Sequence, residues 1–420
     1  MIPTLQLLHD YESRNVTHLV EDGSWPIVWE RAKGVYVWDI NDKKYLDLTA
    51  AFAVASTGHG NTRVIKAAQA QLAKLPHAMG DVHPHALKGE LARELSGLTF
   101  ERWRRKSHGN NCGKTIFCNS GFEAVEAALK TALLATGKKG VIAFEGAYHG
   151  LGYGALNATH RKHFHAPFKK QLGRFGHFIH FPQTVSELSY VNKEIDALFK
   201  KQAIGALIVE PIQGRAGMRV PPRQFLNTLR RLCNRNKALL ILDEIYTGFG
   251  RTGEWFACEH DKVIPDIICL GKALTNGFPL SACIGKAETM DRAWSASTGE
   301  AIHTSTYLGH PVGCAMALAQ IRELKKKKLI PRVKRLGRLL KRLITAHHSP
   351  HIKHVGLGLM AGLKLPSDGL AMPIVKEMLQ RGYIFLPAGE HGDVITFTPP
   401  FTITDNQLGS AVHALHSALA

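Results

Sequence analysis

The sequence predicts an α/β protein: a large, mostly parallel sheet covered by helices, with a smaller α+β unit drawn from the terminal segments. Three observations predict it. Between about residues 115 and 285, short apolar runs alternate with amphipathic helical stretches, the rhythm of a parallel sheet with crossover helices. The runs are apolar throughout rather than at every second residue, as strands buried on both faces must be. A chain of 420 residues, 45% apolar and 21% charged, can also bury a large core without disulfide or metal staples.

Taken in order, residues 35–48 (VYVWDINDKKYLDL) read as a hairpin, two β-rich runs around the turn Asn41-Asp42. KTIFCNS then leads into the helical EAVEAALKTALLATG, whose start is expected near Glu123. Further strands follow in GVIAFEG, ALIVEP, ALLILDE, DIICLGK and SACIG, with FLNTLRRLCNRNK as a helix among them. Residues 311–347 read as helical, and 352–420 mixes strand-like VITFT with helical PIVKEMLQRG and QLGSAVHALHSAL. The chain therefore divides into 1–59, contributing to the smaller unit, a large ligand-binding α/β unit over 60–310, and a small α+β unit over 311–420.

Lys and Arg number 53 against 34 Asp and Glu, a net charge of +19. Such an excess can serve a nucleic-acid or membrane-surface partner. Here it is concentrated in Arg102, Arg104, Arg105 and Lys106, and in Lys325–Lys328 with Arg332, Lys334, Arg335, Arg338, Lys341 and Arg342. Val333, Leu336, Leu339, Leu340 and Leu343 recur at helical spacing through the second group, so its charges form the wet face of an amphipathic helix. No aromatic side chains are interleaved with the charges and no nucleic-acid motif appears. No apolar stretch approaches the ~18 residues of a membrane span. The cysteines at 112, 118, 233, 258, 269, 283 and 314 form no CxxC pair and are odd in number, which argues against a disulfide framework and for a reducing cytoplasm. The start, MIPTLQLLHDYESRN, does not read as a secretion signal. The pairs His83/His85, His163/His165 and His177/His180 lack any HExxH or Cys-His context, so no metal site is expected.

In open α/β sheets, ligands gather at the carboxyl ends of the strands. After TIFC comes Asn119-Ser120-Gly121-Phe122-Glu123, where amides at a helix start and the Ser120 hydroxyl could cradle a phosphate; a serine there is otherwise an N-cap. After VIAF, Tyr148 and His149 form an aromatic pair among glycines, either a plain turn or a flat ring set against a flat ligand. After ALLIL stands Asp243, an acid that needs a positive partner once partly desolvated, a structural arginine being the bland choice. After DIICLG stands Lys272, where desolvation makes an amine a usable nucleophile and base. Phosphate cradle, stacking ring, buried acid and strand-end lysine form the set that pyridoxal phosphate requires.

On these residues the chain resembles the class III pyridoxal-phosphate aminotransferases of fold type I, such as the 4-aminobutyrate, acetylornithine and ornithine enzymes. The resemblance runs from GVYVWDINDKKYLDL to TPPFTIT and is carried by NSGFEAVEAALK, FEGAYHG, VEPIQGRAG, LDEIYTGFGRTG, CLGKALTNGFPLSACIG and HTSTYLGHPVGCA. It implies that Lys272 is the Schiff-base lysine and that Asp243 partners the pyridine nitrogen. Ser120 and the amides of Gly121 and Phe122 would take the phosphate. Tyr148 would cover one ring face, with His149 in the same cofactor-binding turn, and Ile245 the other. Tyr246 stands where the family often has glutamine near the ring hydroxyl. Thr306 matches a threonine that reaches the phosphate of the neighbouring subunit, implying a homodimer with shared sites. The implied activity is ping-pong transfer of an amino group from an ω-amine or ω-amino acid to a 2-oxo acid, Lys272 moving the proton. An aminomutase or racemase on the same cofactor, and a basic nucleic-acid binder without catalysis, are the alternatives.

Three positions depart from the pattern. Many ω-amino-acid members have a glutamate where this chain has Arg215, and its arginine partner where this chain has Thr396. Arg215 either receives the substrate carboxylate itself, as a planar guanidinium can, or faces solvent or a structural acid such as Glu210. Phe52 occupies a substrate-lining position where some relatives have tyrosine, which removes one hydroxyl.

Overall fold

The computed structural model describes residues 2–104, 111–346 and 352–419. Strands β1 (Trp29–Lys33), β2 (Tyr36–Asp39) and β3 (Lys44–Asp47) form an antiparallel meander. The turn from β2 to β3 is the one expected at Asn41-Asp42: the Asp39 carboxylate accepts the amides of Asn41 and Lys43, side-chain support of the kind aspartate gives a turn.

The large sheet contains β4 (Gly113–Cys118), β5 (Gly140–Phe144), β6 (Gly176–Ile179), β7 (Ile204–Val209), β8 (Leu239–Asp243), β9 (Ile267–Leu270) and β10 (Ser281–Lys286), in the order β4-β10-β9-β8-β7-β5-β6. Strands β5 to β9 run parallel, and β5, β7, β8 and β9 are buried at every position. β10, the SACIG strand, departs from the parallel reading: it runs antiparallel to both β9 and β4. The connection over 271–280 is too short for the crossover of about a dozen residues that a parallel return needs. The half-buried edge strand β6 and the helix Val185–Lys201 carry too little apolar run to stand out in the sequence.

The helix after β4 begins at Gly121, two residues before the expected start. The Glu123 carboxylate accepts the amides of Asn119 and Ser120 and so turns the chain earlier. Residues 311–346 are helical with a break: Pro311–Lys326 and Leu329–Ala346 meet at Lys328, which has φ 48°. In the second helix Val333, Leu336 and Leu340 are buried. On its opposite side Lys334 pairs with Glu254 and Arg335 with Asp405, while Arg332 donates to the carbonyls of Phe401 and Ile403. Much of the basic run thus binds acids and carbonyls of its own chain. Arg102 likewise pairs with Glu259; Arg105 and Lys106 lie outside the described residues.

Strands β11 (Lys353–Leu357), β12 (Met360–Lys364), β13 (Tyr383–Ile384), β14 (Leu386–Ala388) and β15 (Val394–Phe397) follow. Four of them form an antiparallel sheet, β11-β12-β15-β14, whereas β13 pairs in parallel with β3 of the first meander. Arg251, fully buried, donates to the carbonyls of Ala53, Leu359 and Pro399, tying the segment after β8 to both ends of the chain. No described helix is long and apolar enough to cross a membrane.

Candidate active site

The strand ends converge as expected. The segments after β4, β5, β7, β8 and β9 open onto one crevice of about 1040 Å³, lined among others by Phe52, Gly121, Phe122, Tyr148, His149, Arg215, Asp243, Ile245, Tyr246 and Lys272. Gly121 and Lys272, about 150 positions apart, thus meet because each follows a strand of the same sense in one sheet.

Lys272 follows β9 with its backbone at φ 34°, the kind of left-handed strain that collects at functional sites. Its Nζ lies 4.7 Å from the centre of the Tyr246 ring. Burial holds the amine below the usual lysine range, while Asp243 and Glu210 pull it back up and Arg215 pushes it down. A neutral share of amine is therefore present nearer neutral pH than for a solvated lysine.

Asp243 ends β8 and is buried. Its Oδ1 accepts the Ile245 amide at 3.1 Å, and its Oδ2 lies 2.8 Å from His149 Nδ1. The partner of the buried acid is thus a histidine and not a structural arginine. His149 correspondingly does not serve as a stacking ring alone: its side chain is fully buried against Asp243, with its amide donating to Thr159 Oγ1 at 3.0 Å. Its Nε2 is buried with no hydrogen-bond partner among the described residues.

Glu210 follows β7. Its Oε1 accepts the Tyr148 amide at 2.9 Å and its Oε2 the Gly214 amide at 3.2 Å. Burial pushes this carboxyl up to about 7, with His149 opposing the rise and Asp243 adding to it. Glu210 therefore braces two loops and does not pair with Arg215. The Arg215 guanidinium lies 4.6 Å above the Tyr148 ring and 5.5 Å from that of Phe164, a cation over aromatic faces. Thr396, at another altered position, also lines the crevice, its hydroxyl donating to Leu386 O at 2.9 Å.

At the helix start, Ser120 Oγ is buried with no hydrogen-bond partner among the described residues, while the Glu123 carboxylate takes the Asn119 and Ser120 amides. Ser281 Oγ donates to Ser120 O. A Cβ on Gly121 would lie 3.1 Å from Ile245 Cδ1, so the missing side chain lets the helix end close on Ile245. Gly150 sits at φ 107°, and a Cβ there would be 2.3 Å from Phe122 Cβ; the Tyr148-His149 turn reaches the helix only through that glycine. Phe52 is 63% exposed at the mouth, on a turn whose residues 50–53 all have positive φ. Thr306 is exposed and does not line the crevice of its own chain.

Sequence reasoning missed Trp25, Arg161, Met372 and Glu390, which complete the crevice wall. Trp25, Arg161 and Glu390 come from distant loops and Met372 from the start of the helix Ala371–Gln380. They share no motif spacing, and a strand-end search cannot find them.

The family model for class III aminotransferases matches residues 19–419. The chain belongs to that family. The aminotransferase is 37% identical over 403 residues to 5-aminovalerate aminotransferase DavT of Pseudomonas aeruginosa, a match covering 91% of each chain. It is 35% identical to an acetylornithine aminotransferase of Methanosarcina mazei, over 94% of this chain and 92% of that one. Among solved structures, the ornithine aminotransferase of Toxoplasma gondii superposes with a TM-score of 0.84 at 29% identity, covering 99% of this chain and 94% of that one. A PLP-bound amine transaminase from an uncultivated Pseudomonas species gives 0.87 at 28% identity, covering 97% and 98%. Class III aminotransferases use pyridoxal phosphate, and this crevice fits it: a helix start at Gly121 and Phe122 on its wall, an acid held among donors, and a desolvated lysine. The buried Ser120 hydroxyl, without a partner among the described residues, is next to that helix start in the chain and not on the lining.

Proposed function

We propose that the protein moves an amino group from an ω-amine or ω-amino acid, of the 4-aminobutyrate, 5-aminovalerate or ornithine kind, to a 2-oxo acid. The observation that carries the reading is Lys272 and Asp243 on one crevice, the first with a depressed amine and the second held among donors. Bound pyridoxal phosphate supplies the electron sink for the carbanion left when the amine-bearing carbon loses its proton. Lys272 would hold the cofactor, and its amine would be the base that moves the proton at the amine-bearing carbon. Asp243, which accepts the Ile245 amide and lies against His149 Nδ1, would face the ring nitrogen and hold positive charge there. Ser120 with the Gly121 and Phe122 amides would hold the phosphate. Tyr148 and Ile245 would cover the ring faces, and Tyr246 would stand by the ring hydroxyl. Arg215 receives the substrate carboxylate, with Phe52 at the entrance. The cofactor belongs to the unit over 60–310, while 1–59 and 311–420 make the smaller unit, a reading supported by the β3–β13 pairing.

The proposal includes a homodimer in which Thr306 reaches the phosphate of the neighbouring subunit, supported by its exposure away from its own crevice. It also includes a cytoplasmic location, supported by seven cysteines that form no disulfide among the described residues. No observation favours the aminomutase, racemase or nucleic-acid readings. Lys272→Ala tests the centre of the scheme: the purified variant should lose the visible absorbance of the protein-bound cofactor and at least about a hundredfold in turnover. Full activity in that variant would overturn the reading.

A further inference from the structure

The crevice contains a cation that the scheme above leaves unused. Arg161 lines the same cavity as Arg215, and both are fixed by one peptide of the small unit. The Gly389 amide donates to Arg215 O at 3.1 Å, and Gly389 O accepts from the Arg161 guanidinium. Gly389 sits at φ 90°, and a Cβ there would lie 2.0 Å from Asp393 Oδ1, so the clasp depends on glycine. Among the described residues neither arginine has a carboxylate within ion-pair distance. Glu390, exposed at the rim, opposes the charge of Arg161 without pairing with it, while Arg215 and Arg219 repel it. Arg161 is half-buried and partly desolvated, whereas Arg215 is exposed to the open crevice. A half-buried guanidinium without a carboxylate is costly unless an anion completes the site.

The two are not equivalent. Arg215 lies over the Tyr148 ring and its charge bears on Lys272, whereas that of Arg161 does not. Arg161 bonds the outer loop beside exposed Glu390. Arg215 is therefore the inner cation and Arg161 the outer.

We propose that Arg161 is a specificity-determining residue: with Arg215 it selects a 2-oxo dicarboxylate as amino acceptor. This rests on the transaminase reading in which Arg215 receives a carboxylate. Arg215 takes the carboxylate next to the reacting carbon, and Arg161 takes the distal one. An ω-amino acid donor, whose single carboxylate lies several carbons from its amine, uses the same cationic wall.

The test uses holoenzyme with two unreactive probes, glutarate and butyrate, whose dissociation constants are measured by calorimetry, together with KM for 2-oxoglutarate and pyruvate. Wild type should bind glutarate at least about tenfold more tightly than butyrate, as a second charge-assisted contact predicts. Arg161→Gln should remove that preference, raise the 2-oxoglutarate KM about tenfold, and leave butyrate binding and the pyruvate KM within about twofold. Arg161→Lys should restore part of the preference, since it returns the charge without the fork. Arg215→Gln should weaken both probes. Equal wild-type binding of the two acids, or equal losses in Arg161→Gln, would overturn the proposal while pyruvate turnover left the transaminase reading intact. Unchanged binding of both acids in Arg215→Gln would instead remove the carboxylate role of Arg215, and the proposal with it.

Discussion

Glu210 shows how one buried side chain serves the site without touching the reacting atoms. It holds the Tyr148 and Gly214 amides together, and so sets the turn that carries Tyr148 and His149. Its carboxyl is raised from 4.5 to about 7 by burial, so the folded chain holds this proton more tightly than the unfolded chain. The stability it contributes is complete below pH 4.5 and is lost as pH rises through about 7. A gap of that size corresponds to about 3 kcal/mol. Glu244, also raised to about 7 by burial, gives both proteins a common loss between pH 5 and pH 8. Urea unfolding of the cofactor-free protein at pH 5 and pH 8 should therefore show a loss in wild type that exceeds the loss in Glu210→Gln by on the order of 3 kcal/mol. The variant should also be weaker at pH 5 by about 1–3 kcal/mol, because its NH₂ would face an amide donor. Equal pH dependence in the two proteins would remove Glu210 as the source. Asp243 and Lys272 were legible in the sequence because a polar group directly after an apolar strand has only one edge of the sheet to occupy. The bond from His149 to Asp243 was not, since its direction is set by a turn that depends on Gly150 at φ 107°.

Among the elements, legibility followed burial. β5, β7, β8 and β9 are buried at every position and read as uninterrupted apolar runs; β6 is half-buried at an edge and did not. The direction of β10 depended on the length of the connection before it, which apolar patterning does not encode. Arg161 and Glu390 were invisible because the outer wall is assembled from loops far apart in the chain, whereas Arg215 was singled out by the motif around it. The early start of the helix Gly121–Thr136 is of more consequence than its two residues suggest. By accepting the Asn119 and Ser120 amides, Glu123 sets the turn that carries Ser120, whose Oγ has no partner among the described residues. Glu123→Ala should lower unfolding stability by about 1 kcal/mol, the usual cost of a lost cap. It should also speed release of pyridoxal phosphate about fivefold, a comparable free-energy loss, measured by the decay of cofactor absorbance on dilution into a scavenger. Slower unfolding stability loss is not the discriminating result: a stable variant with unchanged release would show that the turn does not aim the phosphate site.

For the whole molecule, the exposed apolar side chains near the ends of the site need a partner. Phe52 is 63% exposed, Ile302 77% and Tyr307 57%, the last two on the segment of exposed Thr306; in the proposed homodimer the neighbouring subunit would cover that segment. If Thr306 completes the neighbour's phosphate site, each active centre draws Lys272 from one subunit and Thr306 from the other, as a two-fold interface requires. The consequence is complementation between two defective chains. Lys272→Ala homodimers have no active centre, and Thr306→Ala homodimers should bind pyridoxal phosphate about fivefold more weakly, the value of one hydrogen bond. In a mixed dimer, the centre that keeps Lys272 receives Thr306 from the Lys272→Ala chain and is intact, while the other centre lacks both groups. Co-expression of differently tagged chains, with activity read at limiting cofactor, should thus recover up to about a quarter of wild-type sites from random pairing. If both residues served the same chain, the mixed dimer would contain one centre of each defective kind, and activity would stay at the average of the two parents.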